Sequence, residues 1–132
     1  DIVALDATGR PRLDGLSFGE TVKALREDGT LVMADCGSFE DAQRAVDAGV
    51  DIVSTTLAGY TGDRVKTDGP DLELLREVVA AFPDVPVICE GRVHTPEQAA
   101  AAIEAGAFAV IVGTAITHPT SITTWFKAAV EG

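Results

Sequence analysis

Five short apolar runs punctuate the chain: Ile2–Leu5, Leu31–Ala34, Ile52–Thr56, Val85–Cys89 and Ala109–Val112. They are near-continuous rather than alternating, the pattern of parallel strands covered on both faces. Helical patterns fill the gaps. Ser17 to Glu27 carries Glu20 three residues after its candidate cap, and Ser38-Phe39-Glu40-Asp41 opens a helix ending near Ala48. Asp71 to Ala81 follows Gly69-Pro70. Thr95-Pro96-Glu97-Gln98 places a capping threonine and a first-turn proline before an Ala-rich helix to Ala105. A last helix is expected from about Ser121 to Val130.

The chain repeats itself at an offset of 57 residues, where Ser38, Glu40, Ala42, Ala45, Ala48 and Gly49 match Thr95, Glu97, Ala99, Ala102, Ala105 and Gly106. Each block follows a strand that ends in an acid, Asp35 or Glu90. Gly49 and Gly106 stand where a helix C-cap belongs. Alternating β and α units of this kind build an open doubly wound sheet or a barrel. The strand ends decide between them, because each delivers a polar residue or a glycine: Asp6, Asp35, Thr55-Thr56, Glu90 and Gly113-Thr114. That arrangement suits a parallel (β/α)8 TIM-type barrel, whose catalytic groups collect at the C-terminal strand ends. Five units cannot close such a barrel, so residues 1–132 are expected to form one partial domain with sheet edges near Ile2 and Ala109. Exposed edges invite pairing, and self-association as a homo-oligomer is expected.

With 46% apolar and 23% charged residues, the composition is that of a globular domain, not a disordered one. A net charge of −11 argues against nucleic acid or an anionic membrane as partner. The longest apolar stretch, near Ala105–Ile116, is too short for the ~20 residues of a membrane span. Cys36 and Cys89 sit in apolar runs without framework spacing, as reduced thiols of a cytoplasmic protein would.

Glu90 ends a dry strand. It is either desolvated and tuned for proton chemistry or paired to an arginine. Asp35 and Asp6 end their strands likewise, as site residues or as loop anchors. Gly91-Arg92 and Gly113-Thr114 follow the last two strands, where barrels often hold a phosphate; the bland alternative is tight turning alone. Arg92 would add a cationic fork. The polar stretch from Gly59 to Pro70 is open between a lid and plain surface. His94 and His118 show no metal-ligand spacing with the acids, so no metal is expected.

Several segments together resemble one family. Leu5-Asp6-Ala7-Thr8, Met33-Ala34-Asp35, Ser54-Thr55-Thr56-Leu57-Ala58-Gly59-Tyr60-Thr61, Asp68-Gly69-Pro70-Asp71, Glu90-Gly91-Arg92-Val93-His94-Thr95-Pro96 and Val112-Gly113-Thr114-Ala115 are similar to the N-acetylmannosamine-6-phosphate 2-epimerases. The resemblance implies a (β/α)8 barrel interconverting N-acetylmannosamine 6-phosphate and N-acetylglucosamine 6-phosphate in amino-sugar and sialic-acid breakdown, with no cofactor. It implies catalytic Glu90, with Asp35 lining the site. It further implies substrate contacts from Asp6, Gly91, Arg92, Gly113 and Thr114. His118 is a further substrate contact implied by the resemblance, standing where many relatives carry arginine. The family's catalytic base is a lysine on an early strand. Compared with the family this chain starts at the fourth strand, with Lys23 on a helix and Lys66 in a loop. The gene product is therefore expected to be longer, and this chain alone inactive. Rival readings are another phosphosugar epimerase or aldolase of the same barrel group, or a non-catalytic phosphosugar-binding fragment.

Overall fold

The computed structural model describes all 132 residues. Five parallel strands form one sheet in sequential order: β1 (Ile2–Asp6), β2 (Leu31–Asp35), β3 (Ile52–Ser54), β4 (Val87–Glu90) and β5 (Ala109–Ile111). The connecting helices are α1 (Phe18–Glu27), α2 (Phe39–Asp47), α3 (Leu72–Ala81) and α4 (Pro96–Glu104). A single turn, α5 (Thr114–Thr117), leads to α6 (Pro119–Glu131). This is a TIM-barrel-type α/β arrangement, and β1 and β5 are the sheet edges as the run positions predict.

Local chemistry sets the helix starts. Ser17 accepts from the Glu20 N–H while the Glu20 carboxylate takes the Ser17 N–H at 2.8 Å, a reciprocal capping box. Thr95 and Gln98 repeat it on α4, behind a first-turn proline. Ser38 caps α2 and Asp71 caps α3. Each satisfied N–H removes an orphan donor worth about 1 kcal/mol.

The two faces of the sheet differ. Val32, Ala34, Val53, Val87 and Cys89 point to the helices and are buried against Val22, Leu74, Leu75 and Val78. Ala42, Ala45 and Ala102 are small enough to let α2 and α4 lie close on the sheet. Burying each leucine of α3 stabilises the fold by about 2 kcal/mol. The opposite face carries Ile2 and Leu31 at 55% and 47% exposure, and Ile111 at 38%.

Several boundaries differ from the sequence pattern; β1 and β2 reach one residue further, to Asp6 and Asp35, and β5 stops at Ile111. β3 ends at Ser54 rather than Thr56, because Thr55 and Thr56 turn their hydroxyls to neighbouring groups. β4 begins at Val87 rather than Val85, just after Pro86, which has no N–H for the ladder. α5 is a single turn behind Gly113, too short to leave a periodic signature, and α6 starts at Pro119, two residues early.

Candidate active site

The strand register brings the acids together. Asp6 is paired with Asp35, Asp35 with Ser54, and Ser54 with Ile88. Glu90 lies two residues beyond Ile88 and so projects to the same face one row higher. Thr56 stands in that same row, two residues beyond Ser54. The Thr56 hydroxyl consequently lies between two carboxylates, 3.0 Å from Asp35 Oδ1 and 2.9 Å from Glu90 Oε2. Ser54 Oγ is 2.6 Å from Thr56 Oγ1 and 3.3 Å from Glu90 Oε2. Behind this row the Thr55 hydroxyl donates to the Glu90 carbonyl at 3.0 Å and accepts from the Glu90 N–H at 3.1 Å, fixing the strand end in place.

Glu90 is half-buried, hydroxyl-bonded and adjacent to Gly91, rather than splayed into water or tied to an arginine. Burial raises the Asp35 carboxyl above its ordinary range. The Thr56 hydrogen bond opposes that rise, and the charges of Glu90 and Asp6 add to it. Asp6 moves the other way. Burial alone would raise it, but hydrogen bonds from Thr8 and the charge of Arg10, 2.5 Å from Oδ2, outweigh that. Asp6 thus serves first to hold the loop after β1. A broad open groove there is lined by Asp6, Arg10, Arg12 and Arg44, and lies aside from Asp35 and Glu90.

Gly91 has φ +99°, and a Cβ there would sit 3.4 Å from the Thr56 carbonyl, so this turn runs tightly beside the end of β3. Arg92 follows at φ +57°, the one non-glycine residue with positive φ. Its guanidinium is directed at the loop of residues 58–69. Nη1 donates to the Ala58 carbonyl at 2.7 Å, Nε to the Gly69 carbonyl at 3.1 Å, and Nη2 to Thr67 Oγ1 at 3.1 Å. The guanidinium also lies 5.1 Å from the Tyr60 ring centroid, and Lys66 Nζ is equally far from the same ring. Arg64 pins the loop's far end through a two-pronged bond to buried Asp71, at 2.7 and 3.1 Å. The Gly59–Pro70 stretch is therefore anchored at both ends.

Gly113 precedes α5, and Thr114 opens it with an exposed side chain. His118 is exposed, its Nδ1 2.7 Å from Ser121 Oγ at the start of α6. His94 packs on Trp125 at 5.0 Å between ring centroids. No three His, Cys, Asp or Glu side chains converge in a metal-ligating cluster. Cys36 and Cys89 are buried free thiols, and burial raises both. No helix is long and apolar enough to cross a membrane. Ser54 and Thr56 are the site residues to which the sequence pattern gives no role, although Thr56 is marked as a polar strand end. Their one signal is a polar run, Ser54-Thr55-Thr56, closing an otherwise apolar strand.

Residues 1–132 match a family model described as "Putative N-acetylmannosamine-6-phosphate epimerase" over their whole length. A relative from Cutibacterium acnes, named "Putative N-acetylmannosamine-6-phosphate 2-epimerase", is 58% identical over 133 residues, covering 99% of this chain and 58% of the relative. One of the same name from Corynebacterium glutamicum is 50% identical, covering 96% and 55%. The chain thus spans little more than half the length of the curated relatives it matches. Among solved structures, that of the N-acetylmannosamine-6-phosphate 2-epimerase from Clostridium perfringens superimposes with TM-score 0.92 at 43% identity, over 97% of this chain and 56% of that one. FabK from Thermotoga maritima, at TM-score 0.64 and 24% identity, over 86% of this chain and 33% of its own, shares the fold. On the full-length family match, the acid-lined strand ends and the close structural likeness, the chain belongs to the N-acetylmannosamine-6-phosphate epimerase family.

Proposed function

We propose that the site on β2, β3 and β4 takes part in epimerising C2 of N-acetylmannosamine 6-phosphate to give N-acetylglucosamine 6-phosphate, in amino-sugar and sialic-acid breakdown. The observation that carries this reading is the Glu90 carboxylate, half-buried at a strand end and linked through Thr56 to Asp35. Inversion at C2 needs a proton taken from the carbon α to the open-chain aldehyde. It then needs stabilisation of the enediolate and a proton returned from the other face. Glu90 handles that proton, and Asp35 lines the pocket beside it. Gly91, Gly113 and Thr114 offer backbone at the ends of β4 and β5 for the phosphate, which holds C2 in place from a distance. Arg92 keeps two N–H groups beyond the three committed to the loop, and on this reading they serve the phosphate. Asp6 and His118 are the remaining substrate contacts of this reading, each already hydrogen-bonded locally.

The family resemblance also implies a lysine base. Lys23 lies beside Glu27 on α1, Lys127 beside Glu131 on α6, and Lys66 over Tyr60. None bonds to Asp35 or Glu90, so these 132 residues supply the acid half of the site and do not turn over by themselves. The two buried thiols support a cytoplasmic setting. The unpaired edges of β1 and β5, with exposed Ile2, Leu31 and Ile111, support self-association. Sedimentation at a mass above 13.7 kDa is the expected result.

The test is a chimera in which residues 1–132 replace the matching segment of the Clostridium perfringens enzyme. Incubated with N-acetylmannosamine 6-phosphate in D2O, it should place deuterium at C2, and Glu90→Gln should slow that by about 10²–10⁴-fold. A folded chimera that binds the phosphosugar without exchanging C2 refutes the reading and makes this a binding module.

A further inference from the structure

Four oxygens of the site make more short contacts than their own hydrogens can fill. Asp35 Oδ1, Thr56 Oγ1 and Glu90 Oε2 follow one another at 3.0 and 2.9 Å, and Ser54 Oγ lies 2.6 Å from Thr56 Oγ1 and 3.3 Å from Glu90 Oε2. With both carboxyls ionised, only two hydrogens serve these four contacts, one on each hydroxyl. At least one carboxylate oxygen would then face a hydroxyl oxygen with no hydrogen between. A single added proton fills the three shorter contacts. Asp35 Oδ1–H donates to Thr56, Thr56 donates to Glu90, and Ser54 donates to the second lone pair of Thr56. All three become hydrogen bonds of ordinary length, and only the longest contact, Ser54 to Glu90, has no hydrogen of its own.

We propose that Asp35 and Glu90 hold one proton in common, passed through the hydroxyl of Thr56, which acts as the positioning residue of the pair. Transfer breaks the Asp35 Oδ1–H and Thr56 Oγ1–H bonds and forms new O–H bonds at Thr56 Oγ1 and Glu90 Oε2. The negative charge moves from Glu90 to Asp35, and no further reactant is needed. Glu90 thereby recovers a proton from within the protein each time it gives one up.

The surroundings favour the proton resting on Asp35. Asp6 faces it from β1 with Arg10 bonded to that acid's far oxygen, and the buried Cys36 thiol follows it, with Asp41 and Arg44 behind. β3 presents only hydroxyls. Ile111 of β5, opposite Glu90, is apolar, and Arg92 and Lys66 are turned to Tyr60. Burial together with two neighbouring acids raises the Asp35 carboxyl.

This inference deepens the epimerase reading and rests on it, yet its test uses no sugar, so either can fail while the other stands. The side-chain carboxyl carbon of Asp35 is followed by ¹³C NMR across pH in the 132-residue chain. It should show two inflections, more than about one pH unit apart, as a coupled group does. Thr56→Ser should keep the two steps. Thr56→Val, of equal shape without a hydroxyl, should bring them closer together. Should Thr56→Val fail to fold, Glu90→Gln decides, since a partner with no proton to share leaves Asp35 a single inflection. A single inflection at Asp35 in the unmodified chain, steps of unchanged separation in Thr56→Val, or two steps at Asp35 in Glu90→Gln would each overturn the proposal.

Discussion

The Arg92 guanidinium, two residues beyond Glu90, donates to the carbonyl of Ala58 at 2.7 Å and so ties the turn after β4 to the loop after β3. Two further bonds, to Gly69 and Thr67, make this a three-point clamp on one stretch of chain. The fold accepts a left-handed backbone at Arg92 to aim it, at a cost of about 1 kcal/mol. Arg92→Ala keeps that cost and loses the clamp. It should destabilise the chain by about 1–3 kcal/mol and speed amide exchange across residues 59–67. Arg92→Lys restores one bond at most, because an ammonium has no planar fork. Unchanged exchange in the loop of the alanine variant would show that Tyr60 and the Arg64 anchor suffice.

The anchor at the far end responds to acid. Burial alone would raise the Asp71 carboxyl, but the Arg64 hydrogen bond, the Leu74 N–H at 2.9 Å and the charges of Arg64 and Arg92 together hold it below the usual range. Its folded value lies under the unfolded one, so its contribution to stability is complete above the unfolded value of 3.8. That contribution is lost as pH falls below 3.8 through the lower folded value. Urea midpoints of the unmodified chain should therefore fall on acidification through this range, and Asp71→Asn should flatten that fall. Asp71→Ala removes the α3 cap and the two-pronged bond while leaving Arg64 to Glu73 at 3.0 Å and Glu77 at 3.7 Å, and should cost about 1–3 kcal/mol at neutral pH.

Gly49 and Gly106 occupy equivalent places in the internal repeat, yet their surroundings differ. Both have positive φ, +85° and +102°. A Cβ at Gly49 would meet nothing within 4 Å, whereas one at Gly106 would lie 2.8 Å from Val79 Cγ1. Gly49→Ala should cost about 1 kcal/mol from backbone strain alone. Gly106→Ala adds displacement of Val79 against the core and should cost about 1–3 kcal/mol more. Equal melting temperatures for the two variants would mean that Val79 rotates away freely.

What the chain discloses before folding follows from how local each feature is. The capping boxes at Ser17 and Thr95 and the apolar runs of all five strands are written in neighbouring residues, and they place the elements to within a few positions. Asp35 and Glu90 are legible as strand-end acids for the same reason. The grouping of Thr56 with both depends on the stagger between β2, β3 and β4, which sets Thr56 beside acids 21 and 34 residues away in the chain. The Arg92 side chain reads from sequence as a phosphate fork, while most of its donors are taken by a loop far away in the chain. Hydroxyls and arginines have many possible partners, and only the assembled register selects among them.

Asp35 carries the clearest conflict between stability and chemistry. Its folded carboxyl is raised above the unfolded value of 3.8, chiefly by burial, so the folded chain holds more protons than the unfolded chain across the interval between the two. Stability contributed by this group is complete below 3.8 and falls as pH rises through the folded value. At neutral pH the ionised form is therefore a burden on the fold. Asp35→Asn removes the charge, keeps the shape and offers Thr56 an amide N–H, so the melting temperature at pH 7 should rise above that of the unmodified chain. The difference should shrink as the solution is acidified toward pH 4. In the chimera the same substitution should lower C2 exchange at least tenfold, because a neutral amide can neither accept nor return the proton. A lower melting temperature at pH 7 would mean that the Asp35 carboxylate is held by its hydroxyl partner more strongly than burial opposes it.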